Sequence, residues 1–175
     1  MKYVKIFSKA TLTLKDLNSN AEKVLGRKHF RDRKITIKNV RYSAGVNSVT
    51  VKATSTGRDH DYNLNIIFYG VKSLDSPHRQ FPLKVKVGKN KYKYFRKPKW
   101  SVHPVRFFCE CPWTQWAGEW YLKEHDALQP KRKPRPYKRK TTWFPSPNPE
   151  RLPVICKHGF QLALKLRDDG ILIMK

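Results

Sequence analysis

Alternation of apolar and polar positions governs the first hundred residues. Lys34–Arg41 (KITIKNVR) alternates at a period of two, which predicts a half-buried strand. Val46–Ala53 repeats the pattern after a turn at residues 43–45. Tyr62–Val71 (YNLNIIFYGV) is the most apolar stretch of this half and reads as the central strand. Leu83–Val87, Lys91–Arg96 and Val105–Cys109 continue the series, joined by turns at residues 88–90 and 97–99. Tyr3–Phe7 and Thr11–Leu14 are shorter β-prone pieces. Ser19 and Glu22 have the spacing of a capping box, enough for one helical turn through Leu25. Short strands at regular intervals with turn residues between them predict an antiparallel sheet or a small barrel.

The period changes beyond residue 112. Trp113, Trp116, Ala117, Trp120, Tyr121 and Leu128 recur at helical spacing, with Pro112 suited to a first turn and Pro130 to a stop. This aromatic stripe reads as core, with Trp113, Trp116 and Trp120 buried. The competing reading is a base-stacking platform. A second helix is expected over Cys156–Arg167 with Phe160, Ala163 and Leu164 facing inward. Ile171–Met174 then forms an apolar tail that adds an edge strand or docks on a neighbour. The chain therefore reads as α+β. Residues 1–100 form a β-rich domain, and residues 101–175 a hairpin-and-helix module interrupted by an extended basic arm at 129–150.

Chemistry concentrates in that module. All three cysteines of the chain and one of its six histidines form two clipped pairs, Cys109-Glu-Cys111 and Cys156-Lys-His158. Scattered core thiols, or one disulfide with a thiol left over, are the plain alternatives. Scattered cysteines have no reason to arrive as one x-spaced pair and one Cys-x-His, and a Cys-x-Cys pair is poorly placed to bond to itself. Three thiolates and an imidazole complete a tetrahedral zinc set with no open position, the arrangement of a structural site. One-residue spacing suits a strand or tight turn for the first pair and the first turn of a helix for the second. Committed thiolates are not free nucleophiles, and no Gly-rich phosphate loop or paired-carboxylate motif accompanies them, so no enzyme is expected. His60, between Asp59 and Asp61, reads as a surface turn, and His29, His78, His103 and His125 have no ligand spacing.

Val-Arg-Phe-Phe-Cys-Glu-Cys-Pro (105–112), followed by an insert and then Leu-Pro-Val-Ile-Cys-Lys-His-Gly-Phe (152–160), resembles the SWIM-type zinc finger. The likeness covers about residues 103–167: an apolar strand into the first pair, an aromatic helix, and a second pair opening a helix. The order of the pieces looks like the small stand-alone SWIM-like proteins of tailed bacteriophages. The resemblance implies a zinc ion and a place in a virion or in the host cytoplasm.

Charge completes the picture. The chain has 38 Lys and Arg against 13 Asp and Glu, a formal net charge of +25. Self-repulsion on this scale calls for an anionic partner. Between Asp75 and Glu110 there is no acidic residue, while Arg79, Lys84, Lys86, Lys89, Lys91, Lys93, Arg96, Lys97, Lys99 and Arg106 all fall there. In the second cluster Lys131, Arg132, Lys133, Arg135, Lys138, Arg139 and Lys140 surround two prolines, which forbid a helix and predict an extended arm held by its partner. The expected partner surface is this arm together with Lys89, Lys91, Lys93, Arg96 and Lys97. Nucleic acid, DNA favoured, and acidic protein both fit it, through backbone or charge contacts rather than base reading. No apolar run reaches membrane-spanning length, the N-terminus lacks a signal-peptide apolar region, and neither a membrane nor a small-molecule substrate is expected. Three settings share these features: a structural component of a phage virion or similar assembly, a free nonspecific DNA- or RNA-binding protein, and a basic protein of a ribosome-like particle.

Overall fold

A computed structural model describes residues 10–26, 35–57, 60–134 and 148–175. The expected strand at Tyr3–Phe7 lies outside the described residues.

The first described element is a helix, α1 (Leu14–Leu25), which buries Leu14, Leu17 and Ala21 along one face. Thr13 caps it by accepting from the Asp16 backbone N–H, and the Asp16 carboxylate accepts from the Thr13 backbone N–H in return. Gly26, at φ +73°, ends it. Two expectations are corrected here. The capping box that forms is Thr13/Asp16, not Ser19/Glu22, and Leu14 opens a helix instead of closing a strand. The Thr13 box wins because it stands immediately before the apolar i, i+3, i+7 series, whose burial stabilises the whole helix.

Four antiparallel strands make the main sheet, in the order β1 (Ile37–Gly45), β2 (Ser48–Ser55), β3 (Tyr62–Tyr69) and, on the far side of β3, β7 (Val105–Cys109). Tyr62–Tyr69 is thus an interior strand, as its apolarity predicts. The first hairpin turns at residues 46–47, not 43–45. Gly45 pairs with Ser48, Asn47 takes φ +51°, and Val46 stands 93% exposed at the tip. Asn tolerates the left-handed region that a tight hairpin turn demands, which Ser43 and Ala44 do not. A second sheet has the order β4 (Ser73–Leu74), β6 (Lys91–Phe95), β5 (Leu83–Gly88), again antiparallel.

One apolar cluster runs through both sheets and the helices. It includes Val49, Val51, Leu64, Ile66 and Phe68 from the main sheet, Leu83, Val85 and Phe95 from the second, and Phe107 from β7. Helix α3 (Lys157–Asp168) closes it with Leu162, Ala163 and Leu166. The expected inward set for this helix was Phe160, Ala163 and Leu164. Of these Ala163 is buried, whereas Phe160 and Leu164 are part-exposed, Phe160 resting edge-on against Trp100. The C-terminal tail docks on its own chain: Ile173 bridges to Lys99, and the Trp100 backbone N–H donates to the Ile173 carbonyl at 2.8 Å.

Candidate metal centre

The two clipped pairs arrive from opposite ends of the fold and meet. Cys109 is the last residue of β7, opposite Leu64 of β3, and Cys111 follows two residues past the strand end. The intervening Glu110 locks this corner. Its carboxylate accepts from the Asn63 backbone and side-chain N–H groups at 3.1 and 2.9 Å, and its carbonyl accepts from Gln115 Nε2 at 2.8 Å. Cys156 is the extended N-cap residue of α3, and His158 lies in that helix's first turn. The approach to this pair is set by α1, where Asn20 Nδ2 donates to the Pro153 carbonyl and Leu17 accepts from the Ile155 N–H.

Close approach of α3 to β7 depends on Gly159. A Cβ at that position would stand 2.5 Å from the Phe107 ring and 2.6 Å from the Ile155 side chain. Only hydrogen fits, so the glycine beside His158 is what lets the helix N-terminus reach the strand.

The resulting cluster of Cys109, Cys111, Cys156 and His158 is buried, and its four ligand atoms lie within 4.8 Å of one another. His158 presents Nδ1, which sits 3.9 Å from both Cys109 Sγ and Cys156 Sγ. Tetrahedral zinc with sulfur at about 2.3 Å and nitrogen at about 2.0 Å needs donor separations of this order. Tyr62 packs edge-on against the imidazole with centroids 5.1 Å apart, and Thr114 Oγ1 lies 3.2 Å from Cys111 Sγ. Thiol electrostatics express the same crowding. Cys109 is raised well above its usual range by sulfur contacts with Cys111 and Cys156 and then by burial. Burial foremost pushes Cys156 up to about 12. Cys111 is shifted strongly downward because its sulfur accepts from Cys109 and Cys156. Three buried thiolates cannot coexist without a cation, and a divalent ion supplies the missing charge. Donor number, type, burial and spacing all fit zinc.

The helix after Cys111 departs from the expected stripe. The chain is helical from Pro112, but Thr114–Gly118 is a π-turn, marked by the Glu119 N–H donating to the Thr114 carbonyl. Regular α-helix resumes only over α2 (Glu119–Glu124). The helix therefore ends well before Pro130, and Leu128 instead bridges to Phe107 at the outer edge of β7. The extra residue per π-turn rotates the inward face onto Thr114, Ala117, Gly118, Glu119 and Leu122. Trp116 is left 63% exposed and Trp120 38% exposed, with Trp113 half-buried, so the expected burial of all three indoles is corrected.

The basic residues singled out by the sequence lie on separate elements. Lys89 stands in the β5–β6 turn and Lys91 just after it, both exposed. Lys93 lies 4.0 Å from Asp75, and Arg96 places its guanidinium over Phe81 and donates to Gln80. Lys97 is half-buried. Lys131 and Lys133 are exposed. Arg132 pairs at 3.0 Å with the buried Glu119 carboxylate and covers the Phe108 ring. Burial raises Glu119, and Arg132 opposes that rise. Arg135, Lys138, Arg139 and Lys140 lie outside the described residues. The buried Glu119–Arg132 pair was not expected; the only signal for it is a lone acid within an otherwise apolar helix face.

Set against protein-family models, curated proteins and solved structures, the chain gives no match. Among the described residues no helix is long and apolar enough to cross a membrane.

Proposed function

We propose that this is a non-catalytic, zinc-stabilised binding protein in which the ion fixes an α+β scaffold that presents a basic surface to a polyanion, nucleic acid before acidic protein. The observation that carries the structural half is the closed Cys109, Cys111, Cys156 and His158 set, buried and within 4.8 Å. Four protein donors leave no place for a substrate, which supports a structural ion over a catalytic one. When bound, zinc supplies charge compensation and a cross-link between β7 and α3. The rest belongs to the chain: Glu110 holds the corner, Tyr62 braces the imidazole and Gly159 admits the helix. Strand into Cys-x-Cys, helix, insert and a Cys-x-His that opens a helix is also the order of a SWIM-type finger, and it supports that kinship.

The test is metal analysis of the purified protein, with an expected content of about one zinc per chain and loss of structure on chelation, because binding energy here is folding energy. A metal-free protein that stays fully folded, or a Cys156→Ser variant with unchanged stability, would overturn it. A virion or other large assembly, a free nucleic-acid-binding role and a ribosome-like particle all use this combination of zinc and charge. Mass spectrometry of purified particles beside the cell lysate separates them.

A further inference from the structure

The second sheet packs Leu83, Val85 and Phe95 into the core from one face, and its opposite face has a distinctive composition. Register places Lys84 opposite Tyr94, Lys86 opposite Tyr92 and Leu74 opposite Tyr94. Side chains alternate across a strand, so these residues share the outer face, while Leu83, Val85 and Phe95 point into the core. Lys72 and Arg96 extend the same face at its other end, where the Arg96 N–H donates to the Lys72 carbonyl. Lys72, Lys84, Lys86 and Arg96 are exposed, and Tyr92 and Tyr94 are half-exposed. None of these residues is acidic. The nearest acid on this sheet, Asp75, is drawn to Lys93, whose side chain belongs to the opposite face.

Lys84 Nζ stands over one face of the Tyr92 ring, 4.1 Å from its centroid, so a cation and an aromatic ring already lie side by side on the solvent side of this sheet. Two aromatic rings at alternate positions of one strand, interleaved with cations of the next, suit a chain whose bases are unpaired and whose backbone is anionic. Stacking holds the bases, and the ammonium and guanidinium groups neutralise phosphates. Duplex nucleic acid hides its base faces and would leave the rings unused. An acidic protein segment would use the cations but not the flat ring faces.

We infer that the outer face of the three-stranded sheet is a binding platform for single-stranded nucleic acid, with Tyr92 and Tyr94 stacking on bases and Lys84 and Lys86 contacting the backbone. This rests on the reading above that the partner is a polyanion, and it adds the site, the strandedness and the two aromatic residues. The Trp116 and Trp120 surface is a weaker candidate, because Glu124 accepts from Trp120 Nε1 at 2.7 Å and puts negative charge beside the ring.

The experiment titrates the full chain with fluorescent dT20, rU20 and a 20-base-pair duplex at several salt concentrations. Wild type is compared with the double variants Tyr92→Leu/Tyr94→Leu, Tyr92→Phe/Tyr94→Phe and Lys84→Gln/Lys86→Gln, and with Trp116→Leu. Leucine keeps apolar volume in the sheet, and zinc content with circular dichroism verifies each fold. The expected result is preference for single strands, an affinity loss of about tenfold or more in the leucine variant, and wild-type affinity in the phenylalanine variant. The lysine variant should flatten the salt dependence by about 0.7 per lost contact, and Trp116→Leu should bind as wild type. Equal affinity of wild type and the leucine variant, a preference for duplex, or a loss confined to Trp116→Leu would overturn the platform while leaving the polyanion reading standing. Absence of binding to all three probes would overturn both the platform and nucleic acid as the partner.

Discussion

Two glycines show how a single hydrogen atom can determine a metal centre. At Gly159 an added methyl would enter the Phe107 ring, whereas at Gly118 it would meet Thr114 and Val154 at an ordinary 3.8 Å. Gly159→Ala is therefore expected to cost about 1–3 kcal/mol through overpacking and to lower zinc content by displacing His158 from Cys109. Gly118→Ala should be neutral or slightly stabilising, since alanine favours the helix. Thermal melts paired with metal analysis check both, and equal effects at the two positions would refute the contact argument. Arg132 invites a similar test. Its removal leaves the buried Glu119 carboxylate unpaired, an expected loss of about 1–3 kcal/mol. Glu119 has a raised carboxyl pKa, so folding disfavours its charged form. The penalty in Arg132→Ala is thus largest at neutral pH and shrinks as the pH falls towards the carboxylate range. A denaturation series across pH reads this directly.

Among the elements, the π-turn matters most for how the chain is exposed. Apolar residues at α-helical spacing point to an indole core, and one wide turn moves that core to Ala117 and Leu122. Leu122→Ala, at a fully buried site, is expected to cost about 2–5 kcal/mol. Trp116→Ala should stay within about 1 kcal/mol, as surface changes do. Chemical denaturation of the two variants decides the matter, and a larger loss at Trp116 would mean that the stripe is core after all. The return from the insert is anchored on the same turn: Asn148 donates to the Ala117 and Leu152 carbonyls and accepts from the Leu152 N–H. The turn that follows one ligand pair is in this way tied to the segment that leads into the other.

For the molecule as a whole, charge and topology pull in opposite directions. β7 belongs to the same sheet as β1–β3, and a single core joins both halves of the chain, so a metal ion held by the four ligands would bear on the main sheet as well as on α3. A net charge of +25 opposes this compactness by self-repulsion. Added salt, or a bound polyanion, should consequently raise the melting temperature of the zinc-loaded protein, because both screen that repulsion. Melting curves over a sodium chloride series test this. A temperature that falls or stays flat with salt would show that the positive charges are already compensated within the fold.

Period-two alternation was enough to place β2, because a strand with one buried face must alternate, while apolarity placed β3 and short β-prone runs between turn residues placed β5, β6 and β7. The ligand set Cys109, Cys111, Cys156 and His158 was equally legible, since few other arrangements use three thiols and an imidazole in clipped pairs. Helix α1 was misread because two capping boxes compete locally, and burial of Leu14, Leu17 and Ala21 selects between them. Periodicity assumes 3.6 residues per turn, so it could not foresee a π-turn that reassigns Trp116 to solvent. Nor could charge counts distinguish Arg132, committed to Glu119, from Lys84 and Lys86, aligned with Tyr92 and Tyr94 on an open face. Composition along the chain records how many cations there are. Strand register, which sets the residues of neighbouring strands side by side, determines which of them stand together.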